Sequence, residues 1–186
     1  MKEKLLQQRV RVVSSILIIL INLIILVGSM ITRNPYEILW VSHYAGLLGG
    51  IVLINNFKKP VLNGMYSFLF ILQLGSVVTH IINPVLDTYL DVLYWFNHLP
   101  HFIGFYLLVK KEFNLNGVHL GMIFMLFLTN LSFHILYTDS LVDPIILSYE
   151  INTVYREYFI YVIFLALGWY IILLILINEK TKRKKK

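Results

Sequence analysis

The basic residues of this chain sort to alternate connectors between six long apolar runs, and no motif constrains the fold as strongly. Lys2, Lys4, Arg9 and Arg11 precede the first run. Lys58 and Lys59 follow the second, and Lys110 and Lys111 follow the fourth. Lys180, Lys182, Arg183, Lys184, Lys185 and Lys186 follow the sixth. Of the 16 lysines and arginines, the remaining connectors hold only Arg33 and Arg156. Short loops rich in Lys and Arg stay in the cytoplasm. The pattern therefore predicts a multi-pass protein of the cell membrane with both its N-terminus and its C-terminus cytoplasmic.

The runs predict spans at about 12–31, 36–57, 61–83, 89–109, 117–137 and 156–177. Each is long enough to cross a hydrocarbon core of roughly 30 Å as a helix. None shows the two-residue alternation of an outer-membrane barrel strand. The expected fold is all-α, a polytopic six-helix transmembrane bundle forming one integral membrane domain over residues 1–186. Composition agrees: 58% of the residues are hydrophobic and the mean hydropathy is +0.74. Arg33-Asn34-Pro35 stops the first run, and Pro84 ends the third because the residue before a proline disfavours the helical region. The first run follows a basic segment as a signal peptide would. It exceeds a usual signal core in length and lacks a clear small-x-small cleavage site, so it reads as a retained helix.

The net charge of +6 resides mainly in the tail and the cytoplasmic turns. It is accounted for by anionic inner-leaflet lipid and topology control rather than by nucleic acid. The absence of cysteine excludes disulfides, thiolate nucleophiles and cysteine metal sites. The one long connector, 138–155, carries Asp139, Asp143, Pro144 and Glu150 around an apolar Ile145-Ile146-Leu147. It reads as an outside loop, with a lid over a cavity as its functional version.

In the second run, Ala45/Gly49 and Gly46/Gly50 form two small-xxx-small pairs. Such pairs let helix backbones approach closely in lipid. No Asp, Glu, Lys or Arg sits deep in a span, which argues against a carboxylate proton relay or a gating-charge device. Histidines and amides do enter. With the topology above, His43, His80, His98, His101 and His134 fall in the outer half, and only His119 lies on the cytoplasmic side. Asn83, Asn97 and Asn130 lie at outer or middle depth.

Polar groups within spans face the bundle interior. His98 and His43 are thus the candidate catalytic residues of an outward-facing cavity. His101, His80, His134, Asn130 and Ser42 are its candidate lining. Imidazole suits proton transfer near neutral pH, which fits general acid–base work on a lipid ester with a hydroxyl or water as nucleophile. His98 and His101 flank Pro100, which can kink the helix, free a backbone carbonyl and widen a cavity. Haem between His43 and His98 is geometrically conceivable. Without a His-x-x-x-His pair on one helix, no metal or other cofactor is expected. The expected partners are membrane lipid and a lipid or small-molecule ligand.

The order of landmarks resembles the YwaF-like bacterial membrane proteins, which are similar to the transmembrane protein 164 family of ether-phospholipid acyltransferases. The stretch Trp40-Val41-Ser42-His43-Tyr44-Ala45 is similar to that family's Leu-His-apolar-Cys helix. Tyr66, Gly75 and Pro84 resemble the next helix, and Trp95-Phe96-Asn97-His98 resembles an aromatic pair before a histidine. Asn130 through Tyr137, followed by Pro144, resembles the later helix and its loop. The resemblance covers about 36–177 and implies a protein that binds or acts on lipid, with His98 as the carried-over histidine and His101 its local competitor. Where the enzyme branch has cysteine this chain has Ala45. The implied thioester route is therefore closed, leaving a hydroxyl such as Ser42 or a non-catalytic relative. Two other readings fit the same features. One is the substrate-binding membrane subunit of a vitamin-type importer, which captures small ligands from outside. The other is a structural membrane protein without a ligand.

Overall fold

The computed structural model describes residues 2–32, 41–82, 93, 96, 100–110, 113–142 and 149–184. Six helices are seen: α1 (Lys2–Thr32), α2 (Val41–Ile54), α3 (Pro60–Ile82), α4 (His101–Lys110), α5 (Leu115–Val142) and α6 (Tyr149–Lys184). No strand occurs among the described residues, so the fold is all-α as expected. Two helices are long and apolar enough to cross a membrane, over Glu3–Gly28 of α1 and Ile163–Thr181 of α6. Only 17% and 11% of their most apolar stretches is buried, whereas the core helix of a soluble domain is buried along most of its length.

Several helices outrun the apolar segments that identified them. α1 begins about ten residues before its predicted span because Lys, Glu, Leu, Gln and Arg are all good helix formers. α5 and α6 extend into the segment expected as a long outer loop, leaving only 143–148 between them, outside the described residues. α2 is described from Val41, and α4 from a turn at Pro100. The earlier part of each predicted span lies largely outside the described residues.

The α2–α3 connection shows how the sequence makes a tight return. Asn56 and Phe57 both adopt positive φ, 52° and 59°. The Phe57 N–H donates to the Val52 carbonyl at 3.3 Å and the Asn56 N–H to the Leu53 carbonyl at 3.0 Å. This is the double hydrogen bond of a Schellman cap, with asparagine in the left-handed position that usually takes glycine. Pro60 then opens α3, where its missing N–H costs nothing and its fixed φ is already helical. The Asn63 amide donates to the Phe57 carbonyl at 2.8 Å, and the Phe57 ring lies on Tyr106 with centroids 4.7 Å apart. These contacts hold an aromatic residue in a conformation it rarely adopts. α5 has a side-chain cap as well: Asn114 Oδ1 accepts the Gly117 N–H at 2.9 Å.

α3 is the hub, packing on α2, α4, α5 and α6, whereas α1 packs chiefly on α2. Tyr66, Phe68, Leu69 and Phe70 of α3 have no exposed surface. The Trp169 indole N–H ties α6 to α3 by donating to the Ser67 carbonyl at 2.8 Å. α3 and α5 run parallel where they meet, along a seam of glycines. A Cβ at Gly64 would lie 2.9 Å from Gly117 Cα, and one at Gly121 would lie 2.9 Å from the Met65 carbonyl. On α2 the adjacent glycines serve different neighbours. Gly49 faces Pro100 and the Tyr66 ring, and Gly50 faces Ile18 and Ile19 of α1.

Contacts also bring alternate connectors to one end of the bundle. Arg11 Nη1 donates to Asn56 Oδ1 at 2.6 Å, and Lys58, Phe113 and Lys180 border one open surface depression. Arg11, Lys58 and Lys180, from three connectors, thus lie at one end of the described bundle.

Candidate functional site

His43 is the third residue of α2 and is 1% exposed. Its surroundings follow from the antiparallel packing of α1 on α2. The Ser15 hydroxyl, fully buried, donates to the Gly50 carbonyl and sets the register. Seven residues further along α1 is Asn22, and seven residues back along α2 is His43. Seven residues make about two helical turns, so both return to the facing stripes at one level. Asn22 has no exposed surface. Its amide nitrogen donates to the Ile18 carbonyl at 2.8 Å, and its Oδ1 has no hydrogen-bond partner among the described residues. A buried amide oxygen left without a donor is costly. The α1–α2 interface therefore carries a polar level of an amide and an imidazole within apolar helices.

His101 opens α4 and is 6% exposed. Its ring stands edge-on to Phe70, with centroids 6.5 Å apart and planes at 73°. The Pro100 carbonyl just before it accepts two hydrogen bonds, from the Tyr66 hydroxyl at 2.6 Å and from the Ile103 N–H at 2.8 Å. A Cβ on Gly49 would lie 2.9 Å from the Pro100 side chain, so α2 and the start of α4 touch. His43 lies six residues from Gly49, about 9 Å of helical rise away from the basic end. His43 and His101 are thus each buried, on two helices that touch at Gly49 and Pro100.

The other predicted residues divide as follows. Asn130 lies on α5 and is exposed. His98 lies outside the described residues, as do the side chains of Ser42, His80 and His134 within α2, α3 and α5. His119, set apart by its expected cytoplasmic position, is half-buried with its ring 5.7 Å from Tyr170. Among the described residues, two open surface depressions are seen, one at the basic end and one on the outer face of α1 along Leu20, Leu23, Ile24 and Val27. Neither is lined by a described histidine. Among the described residues, no group of three or more His, Cys, Asp or Glu side chains is placed to hold a metal ion.

Sequence reasoning named the histidines but missed Asn22, at the level of His43, and Ser15, two turns away along the same seam. The available signal was that each is a polar residue inside an apolar run, the kind that turns toward a neighbouring helix. Ala45, at the position where the resemblance places a cysteine, is fully buried. Against known proteins, the chain matches no family model, no curated protein and no solved structure.

Proposed function

We propose that the chain is a six-span membrane protein, its basic end in the cytoplasm, that binds a lipid or lipid-like ligand in the region of His43 and His101. The observation that carries this reading is the burial of two imidazoles on helices in contact, with Asn22 buried at the level of His43. Polar side chains within membrane helices turn toward the bundle interior and mark functional interiors. The extensive exposed apolar faces of α1 and α6 and the gathering of basic residues at one end support the membrane placement. The resemblance to YwaF-like proteins supports a lipid as the ligand and adds His98 to the site. If the protein turns a lipid ester over, an imidazole serves as general base to a hydroxyl or water within hydrogen-bond reach, because Ala45 offers no thiol.

Two measurements test the reading. The chain has no cysteine of its own, so single introduced cysteines report topology cleanly. Ser148→Cys should react with an impermeant thiol reagent in intact cells and Lys182→Cys should not; reversed labelling overturns the placement. A native mass spectrum of the gently solubilised protein should show co-purifying lipid. His43→Ala and His101→Ala should lose it while His119→Ala retains it. Full retention in the double variant His43→Ala/His101→Ala would leave the histidines a purely structural role.

A further inference from the structure

α5 turns one face to the bundle and the opposite face away from it. Gly117 and Gly121 meet α3, and Val118, Met125 and Leu128 are buried beside them. On the other side Leu120, Ile123, Leu126 and Phe127 are exposed, Ile123 and Phe127 by more than half. Asn130 is exposed there too. The steps from Leu120 to Ile123, Phe127 and Asn130 are three, four and three residues. That is the spacing of a coiled-coil seam, in which a single asparagine among apolar residues fixes register and partner number. The four residues make one stripe along about 15 Å of helix.

The amide is what sets this face apart. The exposed positions of α1 over 13–27 are all apolar, and those described on α6 over 164–175 are apolar or glycine. Both suit contact with acyl chains. Asn130 does not. Residue 130 lies about 20 Å of helical rise beyond residue 117, so in the six-span arrangement it stands within the hydrocarbon layer. Acyl chains offer an amide neither donor nor acceptor, and leaving it unpaired in such surroundings is costly. Asn22 and Asn55 each turn the amide back to a carbonyl of their own helix. Among the described residues the Asn130 side chain makes no such bond. A primary amide carries both donors and an acceptor, so its complement is another amide. Copies that share one orientation in a membrane run α5 against α5 in parallel, and a two-fold axis sets each residue of the stripe opposite its own counterpart.

We propose that two copies of the chain pair in the membrane through this face of α5, with Leu120, Ile123 and Phe127 packed across the axis and the two Asn130 amides hydrogen-bonded to each other. The pairing rests on the membrane placement proposed above and is independent of the histidine ligand.

The test uses the full chain in phosphatidylcholine vesicles. Lys182→Cys provides a single labelling site in a chain without cysteine, and Förster transfer between donor- and acceptor-labelled copies is followed as the protein-to-lipid ratio is varied. Transfer should rise to a plateau, as for a monomer–dimer equilibrium. Asn130→Leu should move the midpoint about tenfold toward higher protein, the loss expected for an interhelical amide hydrogen bond in lipid. Asn130→Gln, which keeps the amide, should restore most of the association. In the otherwise unsubstituted chain, Phe127→Cys should give a disulfide-linked dimer on mild oxidation. Phe164→Cys, exposed on α6, should not. The proposal is overturned if transfer never exceeds that of random encounters, if Asn130→Leu leaves the midpoint unchanged, or if Phe164→Cys cross-links as readily as Phe127→Cys. It is overturned equally if the native mass spectrum shows a different protein bound that Asn130→Leu releases. Should Asn130→Leu not fold, the two cross-linking variants decide the matter. Labelling of Ser148→Cys does not depend on pairing, so a monomer with the expected labelling sinks this interface and leaves the membrane placement standing.

Discussion

The seam between α1 and α2 and the seam between α3 and α5 both bring helix backbones close, by different means. Along α1–α2 the approach is stitched by polar side chains: the Ser15 hydroxyl on the Gly50 carbonyl and Arg11 on Asn56, with the buried amide of Asn22 between apolar turns. Along α3–α5 no side chain intervenes at the tightest points. Gly117 meets the Val61 carbonyl and Gly64 Cα, and Gly121 meets the Met65 carbonyl and Phe68. Helices surrounded by lipid gain little from excluding apolar surface, and association relies on van der Waals packing and interhelical hydrogen bonds. The molecule uses the packing solution at its hub and the hydrogen-bonding solution at its edge. The first leaves no tolerance for added volume. The second can lose one contact and still close.

That contrast orders the substitutions that would break it. Gly117→Ala should have the largest effect. Its methyl would collide with the backbone of α3, and neither the Val61 carbonyl nor Gly64 Cα can rotate away. Alanine favours a helix interior over glycine by about 1 kcal/mol. Overpacking a close contact costs about 1–3 kcal/mol or more, and against fixed backbone the upper part of that range applies. The variant should therefore be destabilised by about 2 kcal/mol in a detergent melt, despite its better helix propensity. An unchanged or raised melting temperature would show that α3 and α5 are separable.

Ser15→Ala should cost less, about 1 kcal/mol, because it removes one interhelical hydrogen bond. The Gly50 carbonyl keeps its place in the helix, and the remaining contacts of α1 on α2 are undisturbed. The check is the same melt, together with proteolysis of α1, which should come loose before the rest. A loss as large as that of Gly117→Ala would mean that α1 is part of the hub rather than an edge helix.

How far these seams could be read from the sequence depends on what each residue looks like locally. The apolar runs and the sorting of lysines announce helices and an all-α fold, because both are properties of whole segments. Ala45, Gly49 and Gly50 could be noticed because their spacing sits inside an apolar run. Gly117 and Gly121 have the same spacing at the start of the fifth run, but spacing alone does not say which neighbouring helix a small-residue face meets. The helix ends were misjudged because apolar character stops at the edge of a span whereas helix propensity does not, as the continuation of α1 through Lys4, Gln7 and Arg9 shows. The burial of His43 and His101 was expected from their polarity. That Tyr66 would close the Pro100 carbonyl was not, since a hydrogen bond between residues 34 positions apart leaves no local trace. The exposure of Asn130 is a matter of helix rotation, which apolar content of a nearly uniform run does not determine.

Gly168→Ala provides the smallest expected effect and the sharpest contrast with Gly117. Both are helical glycines in apolar surroundings, and sequence alone does not separate them. Gly168 lies exposed on α6, next to Trp169, which does reach α3 through its indole N–H. A Cβ built on Gly168 meets nothing within 4 Å among the described residues. Alanine there adds no clash and restricts the unfolded chain, so the only terms left are its helix preference and reduced backbone entropy, together a gain of about 0.5 kcal/mol. A small rise in melting temperature for Gly168→Ala beside a clear fall for Gly117→Ala would show that the packing environment, not glycine content, decides which helix faces meet. A destabilised Gly168→Ala would instead reveal a close neighbour on that face of α6, either a second copy of the chain or a segment packed against it.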